Sequence, residues 1–248
     1  MQHRRRFLGL GCLAALGALG RALPLAVETS LVDLELVLAV DVSGSVSEDR
    51  FDLQKQGYAA AFANPGVLEA IRSGTHRAIA VTMTQWTGPA LQVQTVDWAR
   101  IDDAASAARF SAAIEAAPRA LFSGGTSISG AMDHAVGLFA RSGFRGERRV
   151  IDVSGDGSNN RGRPAQDARD EVLGAGIVIN GLPILTLEPS LDDYYRANVI
   201  GGPGAFVIAI DRYEDFAAAI LRKLILEIAA IGVEPRYRIA RQASASRQ

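Results

Sequence analysis

Short apolar runs alternate with stretches of helical period along most of the chain. Leu34-Glu35-Leu36-Val37-Leu38-Ala39-Val40 is a near-continuous apolar run closed by a polar turn, the pattern of a strand covered on both faces. A helix is expected from about Ser47. That serine is a ready N-cap, Glu48 and Asp49 suit the positive end of the helix dipole, and Phe51, Tyr58 and Phe62 share one face as far as Asn64-Pro65. Residues 78–86 and 91–98 read as two strands joined by Thr87-Gly88-Pro89-Ala90, a loop suited to a hairpin. Further helices are expected over 104–117, 127–142, 165–174, 191–197 and 214–231, and further strands over 149–154, 177–181 and 205–210. Strands alternating with helices in this way predict an α/β fold: a single doubly wound, mainly parallel sheet with one antiparallel edge hairpin and helices on both faces. No repeat or internal linker interrupts the pattern, so one domain is expected over residues 27–232.

The first 26 residues depart from that pattern. Arg4-Arg5-Arg6 precedes an apolar run over residues 7–20, rich in Gly and Ala, and then Arg21-Ala22-Leu23-Pro24-Leu25-Ala26, which is the layout of a secretory signal peptide. The run is short of the roughly twenty residues that a spanning helix needs, so the expectation is cleavage, with membrane contact only through an uncleaved leader. Arg4-Arg5-Arg6-Phe7-Leu8 also resembles the twin-arginine export signal; an ordinary secretory signal with a basic head is the alternative. Either leads to a periplasmic or otherwise extracytoplasmic protein. Residues 233–248 read as a flexible basic tail, with arginines and no acid from Pro235 onward.

Charge and composition narrow the function. Lys and Arg number 26 against 27 Asp and Glu, but Arg4, Arg5, Arg6 and Arg21 belong to the leader, so the rest of the chain is mildly acidic. It lacks the basic footprint that a polyphosphate needs, and no nucleic-acid partner is expected. The one cysteine, Cys12, lies in the leader, so disulfides, zinc-thiolate centres and cysteine nucleophiles are excluded from the exported part. With His76 and His134 the only histidines beyond His3, a multi-histidine metal centre is not expected.

In an open parallel sheet ligands bind beyond the carboxyl ends of the strands, so the informative residues directly follow the apolar runs. After the first run comes Asp41-Val42-Ser43-Gly44-Ser45; Gly124-Gly125-Thr126 opens a later helix; and Gly155-Asp156-Gly157 follows the strand at 149–154. Together they offer two carboxylates and three hydroxyls, the oxygen donors preferred by hard cations such as Mg²⁺, Mn²⁺ or Ca²⁺. Alternate residues of Asp41-x-Ser43-x-Ser45 can turn toward one point, and Gly44 eases the bend. Taken singly these residues have plainer readings: Ser43, Ser45 and Thr126 as helix caps, Asp156-Gly157 as a turn, and a bound metal as nothing more than a support for the fold. Trp86 is a candidate ligand contact at a strand end, with hairpin packing as its alternative. Asn159, Arg161 and Arg163 are candidates for steering an acidic ligand, with solvated loop residues as theirs.

Asp-x-Ser-x-Ser, a Gly-Gly-Thr loop and a later Asp-Gly, in that order, resemble the metal-ion-dependent adhesion site of von Willebrand factor type A (VWA) domains, and the resemblance spans roughly residues 32–231. It is nearest to exported bacterial members whose role is undescribed. The resemblance implies a metal held by Asp41, Ser43, Ser45, Thr126 and Asp156, with the two serines binding directly and the aspartates often through water. It also implies a coordination position left open for a Glu or Asp carboxylate of a partner protein. Enzyme readings fare less well. Neither Lys55 nor Lys223 sits in a phosphate loop, and no Gly-x-Ser-x-Gly elbow is present. An aspartyl phosphatase of the haloacid dehalogenase type wants a second Asp where Ser43 stands. A metal-dependent hydrolase or phosphatase using Asp41 and Asp156 stays open as the alternative, without a clear general base.

Overall fold

The computed structural model describes residues 30–229 and a two-residue strand at 237–238. Strand β1 (Ser30–Asp41) is the sheet's centre. It pairs in parallel with β2 (Ile79–Trp86) on one side and β4 (Phe144–Gly155) on the other, and β4 pairs in parallel with β5 (Val178–Pro183). The outer strand β3 (Gln92–Ile101) runs antiparallel to β2, so the order is β3-β2-β1-β4-β5 with the expected edge hairpin.

The reason β1 reads over residues 34–40 as an apolar run broken only by Glu35 is visible in where its side chains go. Leu34, Leu36, Leu38 and Val40 enter one core, and Val37 and Ala39 enter the other. Alternate residues of a strand face opposite ways, so a strand with helices on both sides needs apolar residues on both faces, and Glu35, buried near its start, accepts from the Ser142 hydroxyl and the Gly146 N–H instead. The first core is closed by α1 (Glu48–Ala63), α2 (Pro65–Arg72), α3 (Ala104–Ala116) and α7 (Phe216–Ile228), through residues such as Phe62, Ile71, Phe110 and Leu224. The second is closed by α4 (Ile128–Phe139), α5 (Ala165–Gly174) and α6 (Leu191–Asn198), through Met132, Val172 and Tyr195.

Four elements differ from the sequence expectation. Asn64-Pro65 ends α1 but also starts α2: Asn64 accepts the Gly66 N–H at 2.8 Å and Pro65 takes the first-turn position, where its missing N–H costs nothing. Strands β1 and β4 begin earlier than their apolar runs, because Ser30, Leu31 and Val32 pair with Phe144, Arg145 and Gly146 in a stretch that is only partly covered. The strand expected at 205–210 shrinks to β6 (Ile208–Ala209), flanked by single bridges of Val207 to Gly181 and Ile210 to Ile184. The leader expected at residues 1–26 lies outside the described residues. So does the tail, apart from β7 (Tyr237–Arg238), whose backbone pairs in parallel with β6. No helix among the described residues is long and apolar enough to cross a membrane.

Candidate metal centre

The strand ends that carry the sequence candidates lie side by side. β1 and β4 are neighbours with Val40 opposite Ser154, and β2 ends at Trp86 opposite Asp41. This is the carboxyl edge of the parallel strands, where diverging loops leave a crevice. It contains a pocket of about 430 Å³ whose wall includes Ser43, Ser45, Gly125, Thr126, Asp156 and Asn160. Ser43 Oγ and Ser45 Oγ are 3.1 Å apart, and Ser45 Oγ donates to Asp156 Oδ1 at 2.5 Å. Adjacent oxygens of an octahedral Mg²⁺ shell at 2.0–2.1 Å from the ion stand about 3 Å apart. The two hydroxyls therefore have the spacing of neighbouring ligands on one ion.

Each loop is fixed from behind. Asp41 lies fully buried beneath the pocket, its Oδ1 accepting the Ser43 N–H at 2.7 Å, while Gln54 of α1 donates to its backbone carbonyl. Arg119 reaches across from the loop after α3 and donates to the carbonyls of Val46 at 2.6 Å and Val42 at 3.2 Å. Gly124 and Gly125 have φ of +133° and +82°, a region that a side chain would strain, and Thr87 Oγ1 donates to the Gly125 carbonyl. The Thr126 N–H donates to Asn160 Oδ1 at 3.0 Å. Asp156 Oδ2 accepts from the Tyr213 hydroxyl at 2.8 Å, and the Arg50 guanidinium stands 3.6 Å from the same oxygen. The plain capping readings have other owners: Ser47 caps α1 and Ser127 caps α4, leaving the hydroxyls of Ser43, Ser45 and Thr126 unclaimed by helix ends.

The remaining candidates fall elsewhere. Trp86 is fully buried in the second core and does not reach the pocket, because the parallel β1 and the helix α4 cover it. Asn159 accepts the Ser129 N–H and donates to the carbonyls of Arg161 and Arg163, which staples its loop to the start of α4. Arg163 is tied to Asp133 and Glu171, an ion pair joining α4 to α5, and these acids hold its guanidinium charge firmly. Arg161 is exposed and lies against Gly125, where a Cβ would stand 2.6 Å from its Cγ. His134 is half-buried on α4, and burial pushes its ring toward the neutral form.

A family model described as "Protein of unknown function (DUF1194)" matches residues 31–232. The chain belongs to the DUF1194 family. Solved structures similar to this member include a von Willebrand factor type A protein, and at these identities the likeness shows a shared VWA-like fold. A von Willebrand factor type A protein from Catenulispora acidiphila is similar with a TM-score of 0.56 and 17% identity, over 80% of this chain and 43% of that one. Proximal thread matrix protein 1 from the mussel byssus, described with a zinc-occupied MIDAS motif, gives a TM-score of 0.56 and 15% identity over 81% of this chain and 49% of that one. BatB from Bacteroides thetaiotaomicron gives 0.52 and 19% over 79% and 99%. The DUF1194 chain thus spans less than half the length of the first two of these proteins. No curated protein matches it in sequence.

In this DUF1194 member the electrostatics of the site favour a cation. Burial first, and then the charge of Asp156, push the Asp41 carboxyl up to about 7. Asp41 Oδ2 is buried without a hydrogen bond of good geometry, as is the Tyr195 hydroxyl, and a Cβ on Gly155 would stand 2.9 and 3.1 Å from these two atoms. Asp156 has its donors in Ser45, Tyr213 and Arg50, but Asp41 Oδ2 has none, and a divalent ion beside the two acids would offset their charge; the residues present fit one. Among the described residues no three His, Cys, Asp or Glu side chains gather as an ion site by themselves; the donors here are hydroxyls beside carboxylates. The sequence reading passed over Arg50, Arg119, Tyr213, Tyr195 and Asn160. Arg50 carries a signal: a cation in the first turn of a helix opposes the dipole, which makes sense once Asp156 is its neighbour. Gln54 carries another, as a polar residue on the Phe51–Tyr58 face. Nothing local marks Tyr213 or Arg119.

Proposed function

We propose that this DUF1194 chain is an exported binding module that holds a divalent cation, Mg²⁺, Mn²⁺ or Ca²⁺, and uses it to bind a Glu or Asp carboxylate of a partner protein. The observation that carries the reading is the convergence of Ser43, Ser45, Thr126 and Asp156, from three separate loops, on one pocket wall. A bound divalent cation supplies positive charge and an exchangeable coordination position. Ser43 and Ser45 would hold it by their hydroxyls, Thr126 and Asp156 would close the shell, and Asp41 would act from beneath by ordering the Ser43 turn. Tyr213 and Arg50 orient Asp156, and Asn160 orients Thr126. The zinc-occupied MIDAS of the mussel protein supports the metal half of this reading.

The test is a thermal melt of the full chain after chelation and again with each ion, beside Asp156→Ala and Thr126→Ala. An ion that binds only the folded state at a hundred times its Kd adds about 2.7 kcal/mol, which at this size raises the midpoint by several degrees. The wild type is expected to shift and both variants to shift much less. An unchanged wild-type midpoint at millimolar metal rejects the reading.

A further inference from the structure

Among the described residues five large apolar side chains stand exposed: Leu31, Leu91, Val93, Phe122 and Leu187. Isolated cases of this kind are ordinary on a protein surface. Three of these five, however, belong to the loops around the candidate ion site: one lines its pocket and two pack on residues that neighbour it. Leu187, 57% exposed, is part of the pocket wall. Phe122, 62% exposed, lies with its ring centre 5.1 Å from the Arg119 guanidinium, the same group that holds the Val42 and Val46 carbonyls of the Asp41–Ser45 loop. Leu91 packs on Gly124, where a Cβ would stand 2.7 Å from its Cδ1, directly behind the Gly125-Thr126 loop. No core gains from these positions. Each sits on a different loop: Phe122 on the one that carries Thr126, Leu91 on the one whose Thr87 holds the Gly125 carbonyl, and Leu187 beside Glu188, which accepts the Ser158 N–H next to Asp156-Gly157.

Charge complements the apolar rim. Arg161 lies exposed across Gly125, and the Arg119 guanidinium stacks beside Phe122. A ligand that brings a carboxylate to the pocket therefore meets the exposed Arg161 charge beside Gly125 and exposed hydrocarbon around it. Burying hydrocarbon around a polar contact adds affinity and excludes water from it. Resting on the metal-dependent reading above, we propose that the partner offers an acidic residue immediately flanked by a large apolar one, with Phe122 and Leu187 covering that neighbour.

The test uses immobilised, end-blocked peptides in which a central Glu or Asp is flanked in turn by Leu, Ile, Phe, Gly or Ser, probed with the full chain in Mg²⁺ and in chelator. Wild-type protein is expected to hold the acidic peptides with an apolar neighbour about tenfold more tightly than those with Gly or Ser. Phe122→Ser and Leu187→Ser should each bring that ratio toward one while the need for Mg²⁺ and for the acid remains. Leu31→Ser, an exposed substitution at the far end of β1, should leave the ratio unchanged, and all three variants should melt with the wild type. Mg²⁺-dependent retention of acidic peptides that ignores the neighbouring residue, or an apolar preference that survives both variants, overturns the apolar rim and leaves the metal reading standing. Absence of metal-dependent retention of every acidic peptide, in Mg²⁺ and again in Mn²⁺ and Ca²⁺, overturns both.

Discussion

Asp41 is the residue on which most of the site's behaviour turns. Its carboxyl is raised to about 7 by burial and by the Asp156 charge, whereas in an unfolded chain it would titrate near 3.8. Between those values the folded state binds a proton that the unfolded state does not, so this group's contribution to stability is fullest below about pH 4 and is lost as pH rises through 7. Asp152, also pushed up by burial and by the charge of Glu227, acts in the same direction. A divalent ion competes for the deprotonated form. The expected outcome is that added Mg²⁺ raises the melting midpoint several degrees more at pH 8 than at pH 5.5, measured by scanning calorimetry against chelated protein. A shift of equal size at both pH values would mean that Asp41 does not take part.

At the scale of elements, α7 is fixed to the centre of the sheet by a buried charge cluster. Lys223 is fully buried, with its Nζ 2.6 Å from Asp152 of β4 and 2.7 Å from Glu227 one turn along its own helix, and Asn180 of β5 donates to the same Glu227. Removing one partner of such a cluster strands the others in low dielectric. Lys223→Met is expected to cost about 3–5 kcal/mol in denaturant unfolding, with part of the loss recovered in Lys223→Met combined with Asp152→Asn. The cluster also explains a feature of β4 that periodicity alone cannot. Its face toward α7 reads Val150, Asp152, Ser154, and the acid is tolerated there only because Lys223 arrives from seventy residues further along.

For the molecule as a whole, the export proposed above is tested at residues 1–26, the expected leader. With Arg4→Lys and Arg5→Lys together, the basic charge is kept and the arginine pair is removed. If the leader is of twin-arginine type, the full chain is expected to accumulate inside the cell, as read by osmotic-shock fractionation and immunoblotting; continued release with the periplasmic fraction would point to the ordinary secretory route.

The sequence alone settled the alternation of strands and helices, the antiparallel edge hairpin and the order of the oxygen-bearing loops. These are local properties: hydrophobic period, cap chemistry and the residues directly after an apolar run are all read within about ten positions. It missed α2, because a proline that ends one helix can begin the next, and it overran β6, because an apolar run becomes a strand only to the length that its neighbour pairs with it. Only the tertiary structure decided that Trp86 is buried core, that Arg163 is absorbed by Asp133 and Glu171, and that Tyr213, Arg50 and Arg119 brace the pocket. The physical reason is the same in each case: a side chain's role is defined by the partner it meets, and Tyr213 meets Asp156 at a sequence separation of 57.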